Sequence, residues 1–152
     1  MITVVKDDAT GLRRTLESLT AQLELVQDPA NWELVIVDGS TPSLESQLKS
    51  APAKLTRYFW QQPAGIYSAM NYGILEARGD YVLFLNAGDT LATNSTLSSL
   101  IQFLAANSPD WAYGRVLFTS ESGRELVEPD WDYQGEANRL FARGLFPSHQ
   151  GT

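Results

Sequence analysis

The stretch Trp32-Glu-Leu-Val-Ile-Val-Asp-Gly-Ser40 decides the fold of this chain. Its centre, Leu34–Val37, is a continuous apolar run, and such runs are typical of strands that are covered on both faces. The run stops at Asp38 and Gly39, where a cluster of turn-forming residues begins. A strand of this kind predicts a parallel sheet flanked by helices, which is the architecture of an α/β protein.

The sequence on both sides of this stretch alternates between short apolar runs and helical patterns. Three further strands are predicted, at Ile2–Val5, Leu55–Trp60 and Tyr81–Leu85. Helices are predicted where apolar residues recur at helical spacing, around Leu12–Leu23, Ser43–Ser50, Ile66–Ala77 and Leu97–Leu104. Gly79 is expected to be the C-terminal glycine of the third of these helices. The alternation predicts a mostly parallel sheet with right-handed crossovers.

The last part of the chain predicts a hairpin and one more helix. Trp111–Thr119 and Arg124–Val127 are predicted to pair across the turn Ser120–Gly123, and a helix is expected near Glu136–Arg143. A chain of 152 residues is long enough to form one domain with a substantial core. No repeat or linker divides it, so we expect a single domain over residues 1–152.

Composition and charge exclude several classes of function. The net charge is −7 and no basic stripe is present, so a nucleic acid partner is not expected. The absence of cysteine excludes disulfides and thiolate metal sites, and it fits a cytoplasmic location. No apolar run approaches the ~20 residues of a membrane span. We therefore expect a cytoplasmic protein, with peripheral attachment to the inner face of the membrane left open.

Acidic side chains follow three of the predicted strands. Asp7 and Asp8 follow the first strand, Asp38 follows the second, and Asp89 follows the run that ends at Leu85. A single acid in a turn more often caps a helix or stabilises the turn. Three acidic strand ends meet at one edge of a parallel sheet, however, and ligands bind beyond this edge in open α/β sheets. The pattern therefore predicts a binding site there.

Three common motifs of nucleotide and ester chemistry are absent. The sequence has no G-x-G-x-x-G after the first strand, no G-x-x-x-x-G-K-[ST] and no G-x-S-x-G. A Rossmann dinucleotide-binding protein and a P-loop NTPase therefore lose their main support. The hypothesis of a hydrolase with a nucleophile elbow is weakened for the same reason.

Five segments of the sequence together resemble a known family. They are Ile2-Thr-Val-Val5 with the helix after it, Trp32–Ser40, Gly65-Ile-Tyr-Ser-Ala-Met-Asn-Tyr-Gly-Ile74, Gly79-Asp-Tyr-Val-Leu-Phe-Leu-Asn-Ala-Gly-Asp89 and Pro147-Ser-His-Gln150. In these segments the chain is similar to the family-2 glycosyltransferases of the GT-A fold, and in particular to bacterial exopolysaccharide transferases of the colanic-acid type. The resemblance implies the GT-A, Rossmann-like fold of nucleotide-diphospho-sugar transferases. It also implies an inverting enzyme of polysaccharide biosynthesis that uses a UDP- or GDP-sugar.

The resemblance further implies which residues bind this donor. Asp38 accepts hydrogen bonds from the base, and Asp7 or Asp8 lies near the base or ribose, because carboxylates accept from N–H and O–H groups. Asn71 faces the donor sugar or ribose. Ile66 and Tyr67 shape the wall of the site, although packing into the core explains these two residues equally well. The full implied set is Asp7, Asp8, Asp38, Ile66, Tyr67, Asn71 and Asn86.

Asn86-Ala-Gly-Asp89 occupies the place of the family's Asp-x-Asp motif, which holds Mg²⁺ or Mn²⁺ against the diphosphate. Asn86 stands for the first aspartate and Gly88 for the second, so Asp89 is the remaining carboxylate of the motif. An amide oxygen also coordinates hard cations, but it brings no charge. His149 is a further candidate ligand, although a lone histidine is more often structural or at the surface.

The sequence stops at Thr152, directly after the His-Gln motif, whereas members of the family continue further. We therefore expect the C-terminal part to be missing. The base that removes the proton from the acceptor hydroxyl normally lies in that part, so no catalytic residue is assigned. The carboxylates available near the end of the chain are Glu128, Asp130, Asp132 and Glu136.

The leading hypothesis is transfer of a sugar to a glycan or lipid-linked acceptor, and two other functions remain open. The first is a non-catalytic nucleotide-sugar-binding or assembly module, favoured by the degenerate metal motif and the missing base. The second is a sugar nucleotidyltransferase, which should carry a glycine-rich loop with a basic residue where this chain has Lys6-Asp7-Asp8-Ala9. The surface left by a missing segment would favour a homo-oligomer.

Overall fold

The computed structural model describes residues 1–26, 28, 31–52, 54–119, 125–128 and 142. The chain divides into two compact units, Met1–Ser108 and Pro109–Thr152. In the first unit the elements are β1 Ile2–Val5, α1 Ala9–Thr20, β2 Leu34–Asp38, a 3₁₀ helix Glu45–Ser50, β3 Thr56–Trp60, α2 Ile66–Glu76 and α3 Thr96–Asn107. The expectation of one domain over the whole chain stays a prediction.

The sheet of the first unit is parallel, with the order β1-β2-β3. Val5 at the end of β1 lies opposite Asp38, and Asp38 lies opposite Trp60 at the end of β3. All five residues of β2 are buried, as expected for a strand with a neighbour on each side and a helix on each face. The apolar run that decides the fold is therefore the centre of this sheet.

The predicted strand Tyr81–Leu85 forms as an extended edge segment rather than as a regular strand. Ile2 N–H donates to Leu83 O at 2.8 Å, Leu85 N–H donates to Ile2 O at 2.9 Å, and Phe84 forms a parallel bridge with Ile2. The segment thus lies beside β1, on the side away from β2. The position predicted for it is correct, but the ladder is too short for a regular strand.

Two apolar layers pack on opposite faces of the sheet. On one face, Leu12, Leu16 and Leu19 of α1 pack with Leu34 and Ile36 of β2. On the other face, Met70 of α2 packs with Ile2, Val4, Val35 and Val37. Alternate residues of β2 therefore supply the two layers, as the period of a strand requires. The prediction of an α/β architecture is confirmed.

Gly73 allows α2 to lie close to the sheet. A Cβ built at this position would stand 2.5 Å from Ile2 Cγ2 and 3.5 Å from Val37 Cγ2. No real Cβ tolerates the first of these contacts, so the approach requires a glycine. Helix α2 is thereby packed against β1 and β2, the two strands that lead to Asp7, Asp8 and Asp38.

The prediction that Gly79 is the C-terminal glycine of α2 is wrong. The helix ends at Glu76, its cap Ala77 is extended, and the glycines with positive φ in the described part of the chain are Gly65 and Gly88. The guanidinium of Arg57 in β3 donates to the carbonyl of Glu76 and pairs with its carboxylate at 2.9 Å. A distant arginine therefore satisfies the end of this helix instead of a local glycine.

In the second unit, β4 Val116–Thr119 pairs with β5 Glu125–Glu128 in an antiparallel ladder, with Thr119 opposite Glu125. The predicted antiparallel pairing is confirmed, with a first strand that is shorter than predicted and a second strand that begins and ends one residue later. The helix predicted near Glu136–Arg143 lies outside the described residues, apart from residue 142. None of the helices in the described ranges combines the length and apolar composition that crossing a membrane requires.

Candidate functional site

The acidic strand ends meet around the end of β1. Gly39 N–H donates to Val5 O at 2.9 Å, and Ala87 N–H donates to Val4 O at 3.1 Å. The loop that follows β2 and the turn 86–89 therefore flank the same strand end from its two sides. Asp38 and the turn that carries Asp89 are brought to one edge of the sheet, as the sequence predicted.

Asp7 connects the end of β1 to the loop after β2. It has a φ of 55°, a left-handed conformation that aspartate tolerates better than most residues. Its N–H donates to Ser40 Oγ at 2.7 Å, and its carboxylate accepts from Thr41 N–H at 3.2 Å. Asp7 is exposed, so its carboxylate remains open to a ligand.

Asp8 lies beside the turn 86–89. It is the N-cap of α1 and accepts a hydrogen bond from Gly11 N–H at 2.8 Å. A Cβ built on Gly11 would stand 2.1 Å from Asp8 Oδ2 and 3.0 Å from Gly88 N, so the carboxylate and the turn are close neighbours. The contact of Asp8 with the base or ribose stays a prediction. In the structure its carboxylate lies beside the turn 86–89.

Asp38 is fully buried and holds the loop that follows it. Its carboxylate accepts hydrogen bonds from Ser40 N–H at 2.7 Å, Leu44 N–H at 2.6 Å and Tyr58 Oη at 2.5 Å. Burial raises the pKa of this carboxyl, but the hydrogen bonds from Leu44, Ser40 and Tyr58 outweigh burial and hold the pKa below its ordinary value. Asp38 is therefore ionised at neutral pH. The predicted contact with the base is untested by this geometry and stays a prediction.

The turn 86–89 is tight and is held from below. Asp89 N–H donates to Asn86 O at 3.0 Å, and Gly88 has a φ of 97° with no atom within 4 Å of its Cβ position. Glycine adopts this φ at no steric cost. Thr15 of α1 contacts the main chain of the turn on its inner side. The turn is thus packed against α1 on one side, whereas the space beside Gly88 is open.

The start of α2 exposes the residues that were expected to form the wall of the site. Ile66 is 50% exposed and Tyr67 is 73% exposed, while Asn71 is exposed one turn further on. Ile66 and Tyr67 are therefore not packed into the core of this unit, which was the alternative interpretation of these two residues. Gly65 precedes the helix with a φ of 97° and leaves its first turn without a side-chain cap.

Of the two predicted metal ligands, Asp89 lies in the turn 86–89 and His149 lies outside the described residues. Asp130, Asp132 and Glu136, which were considered as the catalytic base, also lie outside the described residues. Within the described ranges, no group of three or more histidine, aspartate or glutamate side chains is placed to hold a metal ion. The oxygen atoms of Asp89 and Asn86 have the chemistry that hard divalent cations prefer.

Sequence analysis did not single out Trp60. This residue ends β3 opposite Asp38 and is 51% exposed, although its indole N–H donates to Ser40 O at 2.7 Å. A tryptophan N–H usually finds a hydrogen-bond partner when the ring is buried, whereas here the ring is half exposed and its N–H is still bonded. An aromatic residue at the predicted C-terminal end of a strand is the sequence signal that would have identified it.

Comparison with known proteins places this chain in a family. Residues 1–149 match the model of the family described as glycosyl transferase family 2. The chain belongs to glycosyl transferase family 2. The family predicted from the five sequence segments is confirmed, while the likeness to the colanic-acid type stays a prediction.

Curated relatives include a glycosyltransferase and an O-antigen biosynthesis protein. The chain is 33% identical over 103 residues to a PGL/p-HBAD biosynthesis glycosyltransferase of Mycobacterium bovis, which covers 64% of this chain and 40% of the relative. It is 30% identical over 145 residues to the O-antigen biosynthesis protein RfbC of Myxococcus xanthus, which covers 86% of this chain and 11% of the relative. The chain thus spans less than half the length of these relatives.

Solved structures confirm the GT-A fold. The mannosyltransferase PcManGT from Pyrobaculum calidifontis, in complex with GDP-Man and Mn²⁺, has a TM-score of 0.59 at 21% identity. The match covers 75% of this chain and 33% of the PcManGT chain. TarS from S. aureus, residues 1–349, has a TM-score of 0.57 at 20% identity, with 72% of this chain and 32% of that chain covered. Identities this low establish the likeness of fold alone.

Proposed function

We propose that this chain is the donor-binding part of a glycosyltransferase that transfers a sugar from a nucleoside diphosphate to a glycan or lipid-linked acceptor in polysaccharide biosynthesis. The observation that carries the proposal is the meeting of two loops at the end of β1, where Gly39 and Ala87 bond to consecutive carbonyls. Family membership supports sugar transfer. The O-antigen and PGL/p-HBAD biosynthesis proteins among the relatives support a glycan or glycolipid product.

The donor is a UDP- or GDP-sugar in this proposal. Among proteins of similar fold, TarS is solved with UDP-GlcNAc and PcManGT with GDP-Man. The base lies against the loop after β2, where Asp7 is exposed and Asp38 keeps the loop in shape. The diphosphate lies at the turn 86–89. The exposed Ile66, Tyr67 and Asn71 border the sugar.

The turn 86–89 also supplies ligands for Mg²⁺ or Mn²⁺. Asp89 offers a carboxylate and Asn86 an amide oxygen, and His149 is proposed as a further ligand. The fold neighbour with Mn²⁺ and GDP-Man supports a divalent cation. When bound, such a cation stabilises negative charge on the departing diphosphate. Asp8, which lies beside Gly88, adds a second negative side chain to this corner of the site.

Transfer is proposed to be inverting, with a carboxylate as the base for the acceptor hydroxyl. No base is named, because the carboxylates offered by the sequence near the end of the chain belong to residues whose side chains the structure does not describe. The protein is proposed to act in the cytoplasm, or at the inner face of the membrane where a lipid-linked acceptor is presented.

Calorimetric titration tests the proposal. The folded chain is titrated with UDP-GlcNAc and with GDP-Man, each with and without Mn²⁺. We expect saturable binding of one of the two donors, strengthened by Mn²⁺. Failure of both donors to bind to folded protein at millimolar concentration would rule the proposal out.

A second function, a non-catalytic nucleotide-sugar-binding module, is favoured by one observation. The motif 86–89 carries a single carboxylate, because asparagine and glycine replace the aspartates of the family motif. Incubation with donor, Mn²⁺ and oligosaccharide acceptors separates the two functions. Release of nucleoside diphosphate, whether by transfer or by donor hydrolysis, excludes the non-catalytic module. Binding without any release favours it.

A further inference from the structure

Three polar residues lie beside the otherwise apolar layer that α1 packs on the sheet. Thr15 and Ser18 lie on one face of α1, and Gln22 lies in the turn directly after the helix. Thr15 is 0% exposed and Gln22 is 1% exposed. Burying such groups is unfavourable unless each finds a hydrogen-bond partner. Their partners therefore indicate what these residues do.

All three side chains bond to the main chain of residues 86–97. Thr15 Oγ1 accepts from Gly88 N–H at 3.0 Å and lies 2.8 Å from Asp89 O as a donor. Ser18 Oγ accepts from Leu91 N–H at 2.9 Å. Gln22 donates to Thr93 O at 2.8 Å and accepts from Leu97 N–H at 3.0 Å. The segment is thus fastened at its start, its middle and its end.

We propose that these three residues, on α1 and in the turn directly after it, form a clamp that positions the turn 86–89 for the diphosphate of the donor, with Thr15 as the positioning residue. The inference rests on the proposed function. Thr15 bridges the two ends of the Gly88–Asp89 unit, donating on one side and accepting on the other. Because Thr15 bonds to main-chain atoms, it positions the backbone that carries the Asn86 and Asp89 side chains.

The clamp compensates for the weak local structure of the turn. The main-chain hydrogen bonds that join the preceding segment to β1 end at Ala87, and Gly88 beyond it adds the conformational freedom of a glycine with open space beside it. Chain segments with few fixed hydrogen bonds open most readily. Preorganised ligands bind more tightly because less ordering is required on binding. Removing the hydroxyl of Thr15 should therefore loosen the turn and weaken donor binding.

The test compares Thr15→Val with Thr15→Ser. Valine keeps the shape and removes the hydroxyl, whereas serine keeps the hydroxyl. Thr20→Val is the matched control, because the hydroxyl of Thr20 bonds within α1 to Leu16 O at 2.9 Å. Two readouts are measured: hydrogen exchange of the Gly88 amide by NMR, which needs no donor, and the Kd of the nucleotide sugar with Mn²⁺.

We expect Thr15→Val to exchange the Gly88 amide at least ten-fold faster than the wild type and to bind the donor about ten-fold more weakly. Thr15→Ser should restore both, and Thr20→Val should change neither. Unchanged exchange at Gly88 in folded Thr15→Val overturns the clamp, whatever the donor result. If the Gly88 amide of the wild type is protected from exchange but the wild type binds no donor, the proposed function is refuted and the clamp is not.

Ser18→Ala keeps the inference testable if Thr15→Val does not fold. It removes the hydroxyl that accepts from Leu91 N–H. Ser18 is partly buried, so the loss of this small group is tolerated. We expect faster exchange at Leu91 and a several-fold rise in the donor Kd. An unchanged Kd together with unchanged exchange at Leu91 overturns the clamp.

A second inference comes from Trp60, on independent evidence. We infer that its indole ring is the stacking surface for the base of the donor. The ring is 51% exposed, yet its N–H is satisfied by Ser40 O at 2.7 Å, so its orientation is held while a face stays open. Trp60 ends β3, three strand spacings from the segment that leads to the turn 86–89, or about 14 Å. A nucleoside diphosphate can extend over that distance from its phosphates to its base.

Nucleotide titration tests this stacking surface. UDP and GDP are titrated into wild type, Trp60→Phe, Trp60→Ala and the control Trp111→Phe, which removes a 46% exposed tryptophan of the second unit. We expect Trp60→Ala to weaken nucleotide binding about ten-fold and Trp60→Phe to retain most of it. Nucleotide should quench the fluorescence of the wild type and of Trp111→Phe, but not of Trp60→Phe. Equal affinity of Trp60→Ala and wild type overturns this inference and leaves the proposed function intact.

Discussion

The hydroxyl of Tyr58 lies 2.5 Å from a carboxylate oxygen of Asp38 and donates a hydrogen bond to it. Tyr58 belongs to β3 and Asp38 ends β2, so the bond joins two neighbouring strands at the edge that bears the site. Burial and the bond to Asp38 raise the pKa of Tyr58 to about 12. The phenol therefore remains a donor at every physiological pH, and the loop after β2 keeps its anchor.

Removal of this hydroxyl should destabilise the first unit. Tyr58→Phe deletes a hydrogen bond to a buried charge, so we expect a loss of about 1.5–3 kcal/mol in the free energy of unfolding. Urea denaturation measures the change. Tyr67→Phe, at a position that is 73% exposed, serves as the control and should stay within about 0.5 kcal/mol of the wild type. Equal stability of the two variants would contradict the role of Tyr58.

Stability should fall in acid through Asp38. The pKa of its carboxyl is lower in the folded chain than the ordinary value of 3.8, so ionised Asp38 stabilises the fold above the unfolded pKa. That contribution is lost as the pH falls through the folded pKa. We expect wild type and Asp38→Asn to differ most near neutral pH and to converge below about pH 4. Urea denaturation between pH 7 and pH 3 checks this, with Asp80→Asn at an exposed position as control.

A gap between wild type and Asp38→Asn that stays constant down to pH 3 would show that the charge of Asp38 does not stabilise the fold. Asp80→Asn should follow the wild-type curve throughout, because the Asp80 side chain lies at the surface.

Asp89→Ala should abolish the metal-dependent part of donor binding. Thr15 contacts the carbonyl of Asp89 rather than its carboxylate, so the alanine variant keeps this contact of the clamp. We expect Mn²⁺ to tighten donor binding by wild type and by the control Asp80→Ala, but not by Asp89→Ala. Calorimetry with and without EDTA measures this. Equal enhancement by Mn²⁺ in all three proteins would remove Asp89 from the metal site.

Gly73→Ala should disturb the packing of α2 on the sheet. The added Cβ would stand 2.5 Å from Ile2 Cγ2, so the helix or the strand must move, at a cost of about 1–3 kcal/mol. Gly79→Ala is the matched control, because the nearest atom to its added Cβ is 3.5 Å away. Thermal unfolding of both variants measures the difference. Equal melting temperatures would mean that α2 does not pack as closely as Gly73 indicates.

Local pattern was sufficient for most elements of the first unit. The apolar run Leu34–Val37 and the leucine spacing of α1 predict a buried strand and a helix, because burial repeats with the period of the backbone. The position of Asp8 and Asp38 at one edge follows as well, since parallel strands end on the same side. Gly79 was misjudged because the end of α2 is satisfied by Arg57, which is 19 residues away in sequence.

The sequence by itself determined the α/β architecture, the family and the clustering of acids around the end of β1, because each depends on short-range periodicity or on motif residues. Only the tertiary structure decided which acid has which surroundings. Asp38 accepts a hydrogen bond from a tyrosine that is 20 residues away in sequence, and the Gly88 N–H bonds to Thr15, which is 73 residues away. Such contacts form when the chain closes long loops, and no local pattern encodes which side chain arrives there.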